Sequence, residues 1–280
     1  MKNILILLLF VCSATFGQMI RTLPPQLNGT CIQYAPKSGA KSVVIILPGK
    51  GELGSDPTII ESHIKVAAAL KAGTFSVNRV ILFQQLASSQ GGFYGNTIGP
   101  LIAYAKTLGL PIDFSGLSLG GMGVGANLPY YPGVIRSAMT CPGKVEQNVA
   151  AGPMTSAGVP QWPAVDYVDA YRKVPSIHYY DPADLTIQDG YSSTKNLVTK
   201  LQTEGKKDIS LIELPGYGHD VWDYAYSQAN YWAWLDALDA PVQKPILDPV
   251  VKMDFDILNN VVIYTTQSGK VITIKPTTVN

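Results

Sequence analysis

The sequence predicts an α/β protein built on a doubly wound, mostly parallel β-sheet. Two observations support this fold class: short apolar runs alternate with segments of helical spacing, and several of the runs are apolar on both faces. A strand that is apolar on both faces is typical of the middle of a parallel sheet, where helices cover both sides. With 280 residues, of which 46% are hydrophobic, the chain is long enough for one large core.

The elements follow one another in a regular order. Apolar runs predict strands at residues 42–47, 79–86, 112–115, 137–141, 176–180 and 208–214. Apolar residues at helical spacing predict helices at residues 61–71, 97–107, 119–128, 190–204 and 220–238. Because strands and helices alternate over this length, the pattern indicates βαβ units and a doubly wound sheet.

The start of the chain has the pattern of an export signal. One positive charge is followed by an apolar run at residues 4–11, which is far shorter than the roughly 20 residues that cross a bilayer. We therefore expect a signal peptide at residues 1–17, cleavage before Gln18, and a secreted or periplasmic protein without a membrane span. The alternative is a lipoprotein anchored through Cys12, although such sites usually have a small residue where this chain has Val11.

The character of the sequence changes near the C-terminus. Prolines within residues 241–249 exclude a helix there, and residues 261–266 and 271–275 flank a Q-S-G-K turn in the pattern of a β-hairpin. An isolated two-stranded hairpin is only marginally stable in water. We predict that residues 18–239 form the main domain and that residues 240–280 form a small β appendage.

Charge and cysteine content narrow the classes of protein further. The chain has 21 Lys and Arg against 20 Asp and Glu, a formal net charge of +1. Nucleic-acid binding requires a basic surface that neutralises phosphates, and this balance provides none. Once a signal peptide is removed, Cys31 and Cys141 remain. We expect two buried thiols, with a disulfide between them as the alternative.

A serine flanked by glycines stands where the third predicted strand gives way to a helix. Residues 116–120 have the sequence G-L-S-L-G, and G-x-S-x-G at such a place is the pattern of a nucleophile elbow. The glycines are needed because the turn brings the strand and helix backbones too close for a Cβ. The alternative is a glycine-rich turn with an incidental serine. The apolar strand before it, with Gly121 and Gly123 behind it, favours Ser118 as a nucleophile.

A serine hydroxyl needs a base that accepts its proton, and the chain has three histidines. His219 lies in the turn between the last predicted strand and helix, at the carboxyl edge where open α/β sheets build their sites. His178 lies in an apolar strand, where we expect a hydrogen-bonded core residue, and His63 lies on an exposed helix face. We predict that His219 is the general base; a residue that only caps the helix is the alternative.

The third member of such a triad accepts the other ring N–H of the histidine and lies between Ser and His in the chain. Residues 181–187, with the sequence D-P-A-D-L-T-I, follow the fifth predicted strand and supply two carboxylates. We favour Asp184, because Ile187 can anchor its loop, over Asp181, which we expect to brace that loop from the strand end. The sequence leaves both Asp184 and Asp181 open as the carboxylate of the triad.

The oxyanion that forms on attack needs backbone N–H donors. We assign one donor to Leu119, the residue after the nucleophile. The glycine-rich loop at residues 47–56, after the first predicted strand, provides the second, which we assign to the N–H of Lys50. Glu52 and Asp56 either hold this loop through hydrogen bonds or are simply solvated.

With these pieces in place, the chain resembles the α/β-hydrolase superfamily. More narrowly, it resembles the secreted esterases of the feruloyl and acetyl-xylan esterase type and their relatives described as predicted peptidases. The resemblance covers about residues 41–238. Four motifs carry it: P-G-K-G-E-L-G-S-D at residues 48–56, G-L-S-L-G-G-M-G at residues 116–123, D-P-A-D-L-T-I at residues 181–187, and G-Y-G-H-D-V-W-D-Y-A-Y at residues 216–226.

The resemblance implies an α/β-hydrolase catalytic domain that hydrolyses carboxylic esters through a Ser-His-Asp triad and an acyl-enzyme. It further implies acyl, feruloyl or acetyl esters on carbohydrate as substrates. Two alternatives stay open: a serine peptidase on the same triad, and a catalytically silent carbohydrate-binding or surface protein. The presence of all three triad residues in the expected order argues against the silent protein.

Aromatic residues near the predicted site are candidate substrate contacts. We expect Trp222, three residues after the base, and Trp162 to line a cleft that suits a planar acyl group or a sugar ring. Ordinary core packing is the alternative for both. No His/Cys cluster has the spacing of metal ligands, so neither a metal nor an organic cofactor is expected. We expect a monomer whose partner is a small-molecule or oligosaccharide ester.

Overall fold

The computed structural model describes residues 18–22, 30–37, 39–93, 95–145, 148–149, 165–240, 250–256, 261–266 and 271–274. The chain divides into two compact units, Met1–Leu235 and Asp236–Asn280. The predicted signal peptide, with Cys12, and the predicted cleft residue Trp162 lie outside the described residues.

The first unit is organised around an eight-stranded sheet within the described residues. Its strands are β1 (Gln18–Thr22), β2 (Thr30–Ala35), β3 (Val43–Leu47), β4 (Val80–Gln85), β5 (Ile112–Gly116), β6 (Ile135–Thr140), β9 (Ser176–Tyr180) and β10 (Ile209–Glu213). The short strands β7 (Asn148–Val149) and β8 (Val165–Asp166) pair separately. The order across the main sheet is β1-β2-β4-β3-β5-β6-β9-β10. Among the described strand pairs of this sheet, only β1–β2 and β2–β4 are antiparallel, so the sheet is mostly parallel, as predicted.

Helices lie in the connections between the strands and after β10. They are α1 (Thr58–His63), α2 (Lys65–Ala72), α3 (Gly95–Thr107), α4 (Leu119–Asn127), α5 (Tyr167–Lys173), α6 (Gly190–Thr203), α7 (Trp222–Ala225) and α8 (Ala233–Asp239). Single 3₁₀ turns lie at Lys50–Glu52, Ser88–Gln90 and Leu128–Tyr130, and a π-helical segment lies at Gln228–Trp232.

The middle strands are buried along their whole length. All five residues of β3 are buried, as are those of β5 and β9, because helices cover both faces of the sheet. The main apolar cluster packs the inner strands against residues of α3 and α6, such as Leu101 and Leu197. This rigid sheet fixes the positions of the loops at its carboxyl edge.

The strand order creates a switch point between β3 and β5. The connection from β3 leads to β4 on one side, whereas the connection from β5 leads to β6 on the other side. In open α/β sheets the crevice outside the carboxyl ends of strands at such a point is where ligands bind. The predicted oxyanion loop follows β3 and the predicted nucleophile follows β5, so the topology brings these two segments together.

All six predicted strands are present, but two helix predictions were wrong in detail. The predicted helix at 61–71 begins earlier and is interrupted at Ile64, whose backbone is extended (φ −100°, ψ 107°). The predicted helix at 220–238 is divided into α7, the π-helical segment and α8. The antiparallel strands β1 and β2 were not predicted, because their sequences, Q-M-I-R-T and T-C-I-Q-Y-A, contain polar residues instead of a continuous apolar run.

The second unit contains a three-stranded antiparallel sheet in its described residues. Its strands are β11 (Val250–Asp256), β12 (Val261–Thr266) and β13 (Val271–Ile274). β12 and β13 form the predicted hairpin, and β11, which was not predicted, pairs with the other side of β12. Among the described helices of the whole chain, none combines the length and apolar character that a membrane span requires.

Candidate active site

Ser118 occupies the sharp turn between β5 and α4. Its backbone has φ 53° and ψ −117°, and it is one of two described residues other than glycine with a positive φ. A serine in this conformation is strained, and such strain persists only where the surrounding structure enforces it. The strand–turn–helix geometry is that of a nucleophile elbow, which presents the serine Oγ above the carboxyl edge of the sheet.

Two glycines behind Ser118 make the turn sterically feasible. A Cβ at Gly120 would lie 1.9 Å from the carbonyl oxygen of Leu47, and a Cβ at Gly121 would lie 2.2 Å from that of Pro142. Both contacts are with backbone atoms, so no side-chain movement could relieve them. The G-x-S-x-G pattern thus reflects the close packing of α4 against the ends of the neighbouring strands.

His219 connects the nucleophile turn to the loop after β9. Its Nε2 lies 2.8 Å from Ser118 Oγ, and its Nδ1 lies 2.8 Å from Asp184 Oδ2. An ionised carboxylate only accepts hydrogen bonds, so Nδ1 carries the ring proton and donates a hydrogen bond to Asp184. Nε2 is then free to accept the hydroxyl proton of Ser118. The three side chains therefore form one continuous hydrogen-bonded chain.

Asp184 is buried and held in its ionised form. Burial favours the protonated carboxyl, but the hydrogen bonds from His219 and Thr186 outweigh it and lower the pKa of Asp184 below the ordinary value. The backbone N–H of Thr186 donates to Asp184 Oδ1 at 2.8 Å, which leaves Oδ2 directed at the imidazole.

Asp181, the alternative acid, lies elsewhere in the same loop. Its Oδ1 accepts the N–H of Ala183 at 2.9 Å, and its Oδ2 accepts the N–H of Gly218 at 2.6 Å. These backbone hydrogen bonds, first that from Ala183, lower the pKa of the Asp181 carboxyl. Asp181 therefore ties the loop after β9 to the turn that carries His219, and the structure brings Asp184, not Asp181, to the imidazole.

The two predicted oxyanion donors both lie at the first position of a helix. Lys50 opens the 3₁₀ turn and Leu119 opens α4, and N–H groups at such positions have no acceptor within their helix. Gly49 brings the first of these turns against the nucleophile: a Cβ there would lie 3.3 Å from the Cβ of Ser118. The loop after β3 and the nucleophile turn therefore border the same space.

Gln85, at the end of β4, holds the loop after β3 in place. Its Nε2 donates to the carbonyl oxygens of Glu52 at 2.9 Å and Asp56 at 2.8 Å. The carboxylate of Asp56 accepts the N–H and hydroxyl of Thr58 at the start of α1. Glu52 is buried rather than solvated, and its Oε1 lies 3.4 Å from His63 Nδ1. Sequence reasoning missed Gln85, because a glutamine in an apolar strand gives no sign of what it binds.

His178, Cys31 and Cys141 are buried and are not members of the triad. His178 is fully buried and hydrogen-bonded to Thr140 and Ser176, as predicted for a core residue, and burial lowers its pKa to about 3. Cys31 and Cys141 are free, buried thiols, as predicted, and burial raises the pKa of both. Among the described residues, no group of three or more His, Cys, Asp or Glu is arranged to hold a metal ion.

Trp222 is adjacent to the predicted base. Its ring meets that of His219 edge to face, with ring centroids 5.5 Å apart and an interplanar angle of 87°. Aromatic pairs favour this geometry, which restricts the imidazole on one side. Trp222 is partly exposed, so it is not a fully packed core residue.

No protein-family model matches the chain, and no curated protein matches it. Solved structures match through the fold. The substrate-bound fluorophosphonate-binding serine hydrolase F of Staphylococcus aureus has a TM-score of 0.53 at 14% identity, over 78% of this chain and 99% of that one. A truncated carbohydrate esterase from gut microbiota has a TM-score of 0.52 at 14% identity, over 80% of this chain and 96% of that one.

A thermostable esterase has a TM-score of 0.52 at 16% identity over 79% of this chain, which spans only 62% of that structure's length. At these identities the comparisons show the fold. Together with the strand order and the turn at Ser118, they establish that the chain has the α/β-hydrolase fold, as predicted.

Proposed function

We propose that the chain is a serine hydrolase that cleaves carboxylic esters through an acyl-enzyme. The observation that carries this proposal is the pair of 2.8 Å contacts that link Ser118, His219 and Asp184 at the carboxyl edge of the sheet. The fold alone would not suffice, because one fold hosts many functions. The chemistry follows from the proton that this chain of hydrogen bonds can move.

Ser118 Oγ attacks the ester carbonyl while His219 Nε2 accepts its proton, and Asp184 stabilises the resulting imidazolium. The N–H groups of Leu119 and Lys50 stabilise the oxyanion of the tetrahedral intermediate. His219 then delivers its proton to the leaving alcohol, which yields an acyl group on Ser118. Water attacks this acyl-enzyme with His219 again as base, which releases the acid and restores the hydroxyl.

We also propose that residues 18–239 form the catalytic domain of an exported protein and that its substrates are acetyl or feruloyl esters of carbohydrate. The resemblance of the four motifs to secreted esterases supports this substrate class, as does the similarity in fold to a carbohydrate esterase from gut microbiota. The apolar segment at residues 4–11 supports export. Release of acetate or ferulate from esterified xylan fragments tests the substrate class.

The mechanism is tested with p-nitrophenyl acetate, two variants of the triad and one control variant. We expect Ser118→Ala and His219→Ala to lose at least about 10³-fold in kcat/KM, because the nucleophile and its base act as a unit. His63→Ala is the matched control for His219→Ala, since the His63 side chain is 54% exposed and contacts Glu52 instead of the triad. Activity that survives Ser118→Ala would reject the mechanism. Cleavage of peptides without cleavage of esters would favour a peptidase.

A further inference from the structure

Two large hydrophobic side chains next to triad residues are exposed instead of packed in the core. Among the described residues, Leu185 and Tyr217 are the exposed side chains of this class, at 90% and 50%. Leu185 immediately follows Asp184, and Tyr217 lies two positions before His219. Single exposed apolar residues are common on protein surfaces, but both of these adjoin catalytic residues. Their position points to a contact with the substrate.

The two loops that carry these side chains are joined to each other. The carboxylate of Asp184 accepts a hydrogen bond from His219 at 2.8 Å. The N–H of Gly218, next to Tyr217, donates to Asp181 at 2.6 Å. Two residues of chain span at most about 7 Å, so the backbone of Tyr217 lies within that distance of the backbone of His219. The His219 side chain is 20% exposed, so the triad reaches solvent next to this turn.

The ring of Tyr217 is supported by a second tyrosine. It meets the ring of Tyr224 in α7 edge to face, with ring centroids 5.5 Å apart and an interplanar angle of 69°. Tyr224 in turn meets the buried ring of Tyr179 in β9, with centroids 6.4 Å apart. No atom lies within 4 Å of the position that a Cβ would take at Gly216 or Gly218, the neighbours of Tyr217 in the chain. The ring is therefore held from one side, while the turn around it is open.

An open aromatic ring favours a ligand that is apolar on one face only. A pyranose ring has this character, because its axial C–H bonds form an apolar face while its hydroxyls point outward and stay hydrated. The negative π face of a tyrosine attracts the partly positive hydrogens of such C–H bonds. A wholly apolar ligand would instead favour an enclosed pocket that buries most of its surface.

We propose that Tyr217, braced by Tyr224, is a platform on which a sugar ring of the substrate stacks. The inference rests on the proposed function, which supplies a carbohydrate as the ligand. The part of an oligosaccharide ester that does not enter the triad must lie on the surrounding surface, and Tyr217 is the exposed aromatic side chain of that surface in the described chain. Leu185 extends the apolar surface on the adjoining loop. Tyr217 thus determines specificity for the sugar and takes no part in breaking the ester bond.

Two acetate esters test this assignment: monoacetylated xylotriose and methyl acetate. Both give the same acetyl-enzyme, so kcat/KM for the first, divided by that for the second, reports the contacts of the sugar. In Tyr217→Ala we expect this ratio to fall at least about tenfold, mainly through a higher KM, because the sugar loses the ring on which it stacks. Tyr217→Phe keeps the ring and should retain the ratio to within about threefold.

Tyr130→Ala is the matched control, because Tyr130 is a second tyrosine that is not buried and lies in the 3₁₀ turn at the far end of α4 from Ser118. It should keep the wild-type ratio. Thermal unfolding verifies that all three variants are folded. An unchanged ratio in Tyr217→Ala, or an equal fall in Tyr130→Ala, overturns the platform while the esterase function stands. A wild-type protein that cleaves methyl acetate but not acetylated xylotriose overturns the platform together with the carbohydrate substrate.

A binding measurement does not depend on turnover. By isothermal titration calorimetry, we expect unesterified xylotriose to bind the wild-type protein and Tyr217→Phe with similar Kd, and Tyr217→Ala at least about tenfold more weakly. This result in a protein that cleaves no ester would support the platform as a sugar-binding surface and reject the esterase function. Equal affinity of the wild type and Tyr217→Ala, or no binding to the wild type, would contradict the platform.

Discussion

Two aspartates three positions apart make different contacts around His219. Asp184 accepts the imidazole N–H, whereas Asp181 accepts backbone N–H groups of Ala183 and Gly218. The difference follows from position. Asp181 immediately follows β9, where it can bridge only to the neighbouring loop, and the turn between the two residues then directs Asp184 toward the histidine. Sequence reasoning could favour Asp184, but it could not exclude Asp181, because the direction of a loop side chain depends on tertiary contacts.

This division of roles leads to a prediction for a pair of variants. Asp184→Asn retains the shape of the side chain but removes the charge that stabilises the imidazolium, so we expect kcat to fall by about 10³- to 10⁴-fold. Asp181→Asn should lower kcat less than about tenfold, because it weakens only a brace of the loop. Steady-state hydrolysis of p-nitrophenyl acetate measures both. A larger loss in Asp181→Asn than in Asp184→Asn would reverse the assignment.

At the scale of elements, the end of β4 organises the loop after β3. The side chain of Gln85 donates to two carbonyl oxygens of the loop, and the N–H of Gly54 donates to Leu86 at 2.7 Å. β4 lies beside β3 in the sheet, so the end of one strand supports the loop that follows the other. The position of the proposed oxyanion donor at Lys50 thus depends on a residue that does not contact the triad.

We therefore expect Gln85→Leu to change kcat more than it changes KM. Loss of its amide leaves the carbonyls of Glu52 and Asp56 without this donor and displaces the loop, and a misplaced oxyanion donor costs up to about 10²-fold in kcat. KM should change little, because no proposed substrate contact is removed. Gln84→Leu, at the neighbouring buried position, is the control for a general effect of this substitution on the strand. A change in KM alone, with kcat retained, would speak against a role through the loop.

The sequence predicts the elements that depend on local pattern and misses those that depend on contacts. Continuous apolar runs identify all the parallel strands, and the glycines around Ser118 identify the turn because backbone packing permits no other residue. The sequence gives no sign of the break at Ile64 or of the π-helical segment after α7, since the helical spacing of apolar residues continues across both. A cavity between α2 and α7 gives no sequence signal either, because the residues that line it come from two segments about 150 residues apart that only the fold brings together.

Acid stability is a property of the whole molecule, because it sums the protons that the unfolded chain binds in excess of the folded one. His178 contributes to it from β9, inside the main sheet. It is fully buried, with Thr140 and Ser176 as hydrogen-bond partners and Tyr171 against its ring. Burial lowers its pKa from 6.5 to about 3, so the imidazole stays neutral in the folded protein at a pH at which the unfolded chain would protonate it.

The direction of the pKa shift determines how stability depends on pH. A folded-state pKa below the unfolded value means that stability is complete above pH 6.5 and is lost as the pH falls toward 3. Between pH 7 and pH 5 this group alone should lower the free energy of unfolding by about 2 kcal/mol. We expect His178→Gln, which cannot titrate, to remove this dependence even if it is less stable at pH 7, and His63→Gln to retain it because His63 is exposed. Urea unfolding at pH 7 and pH 5 measures the difference. Equal losses of the free energy of unfolding between pH 7 and pH 5 in wild type and His178→Gln would show that His178 is protonated within the folded sheet, and that its burial does not keep it neutral.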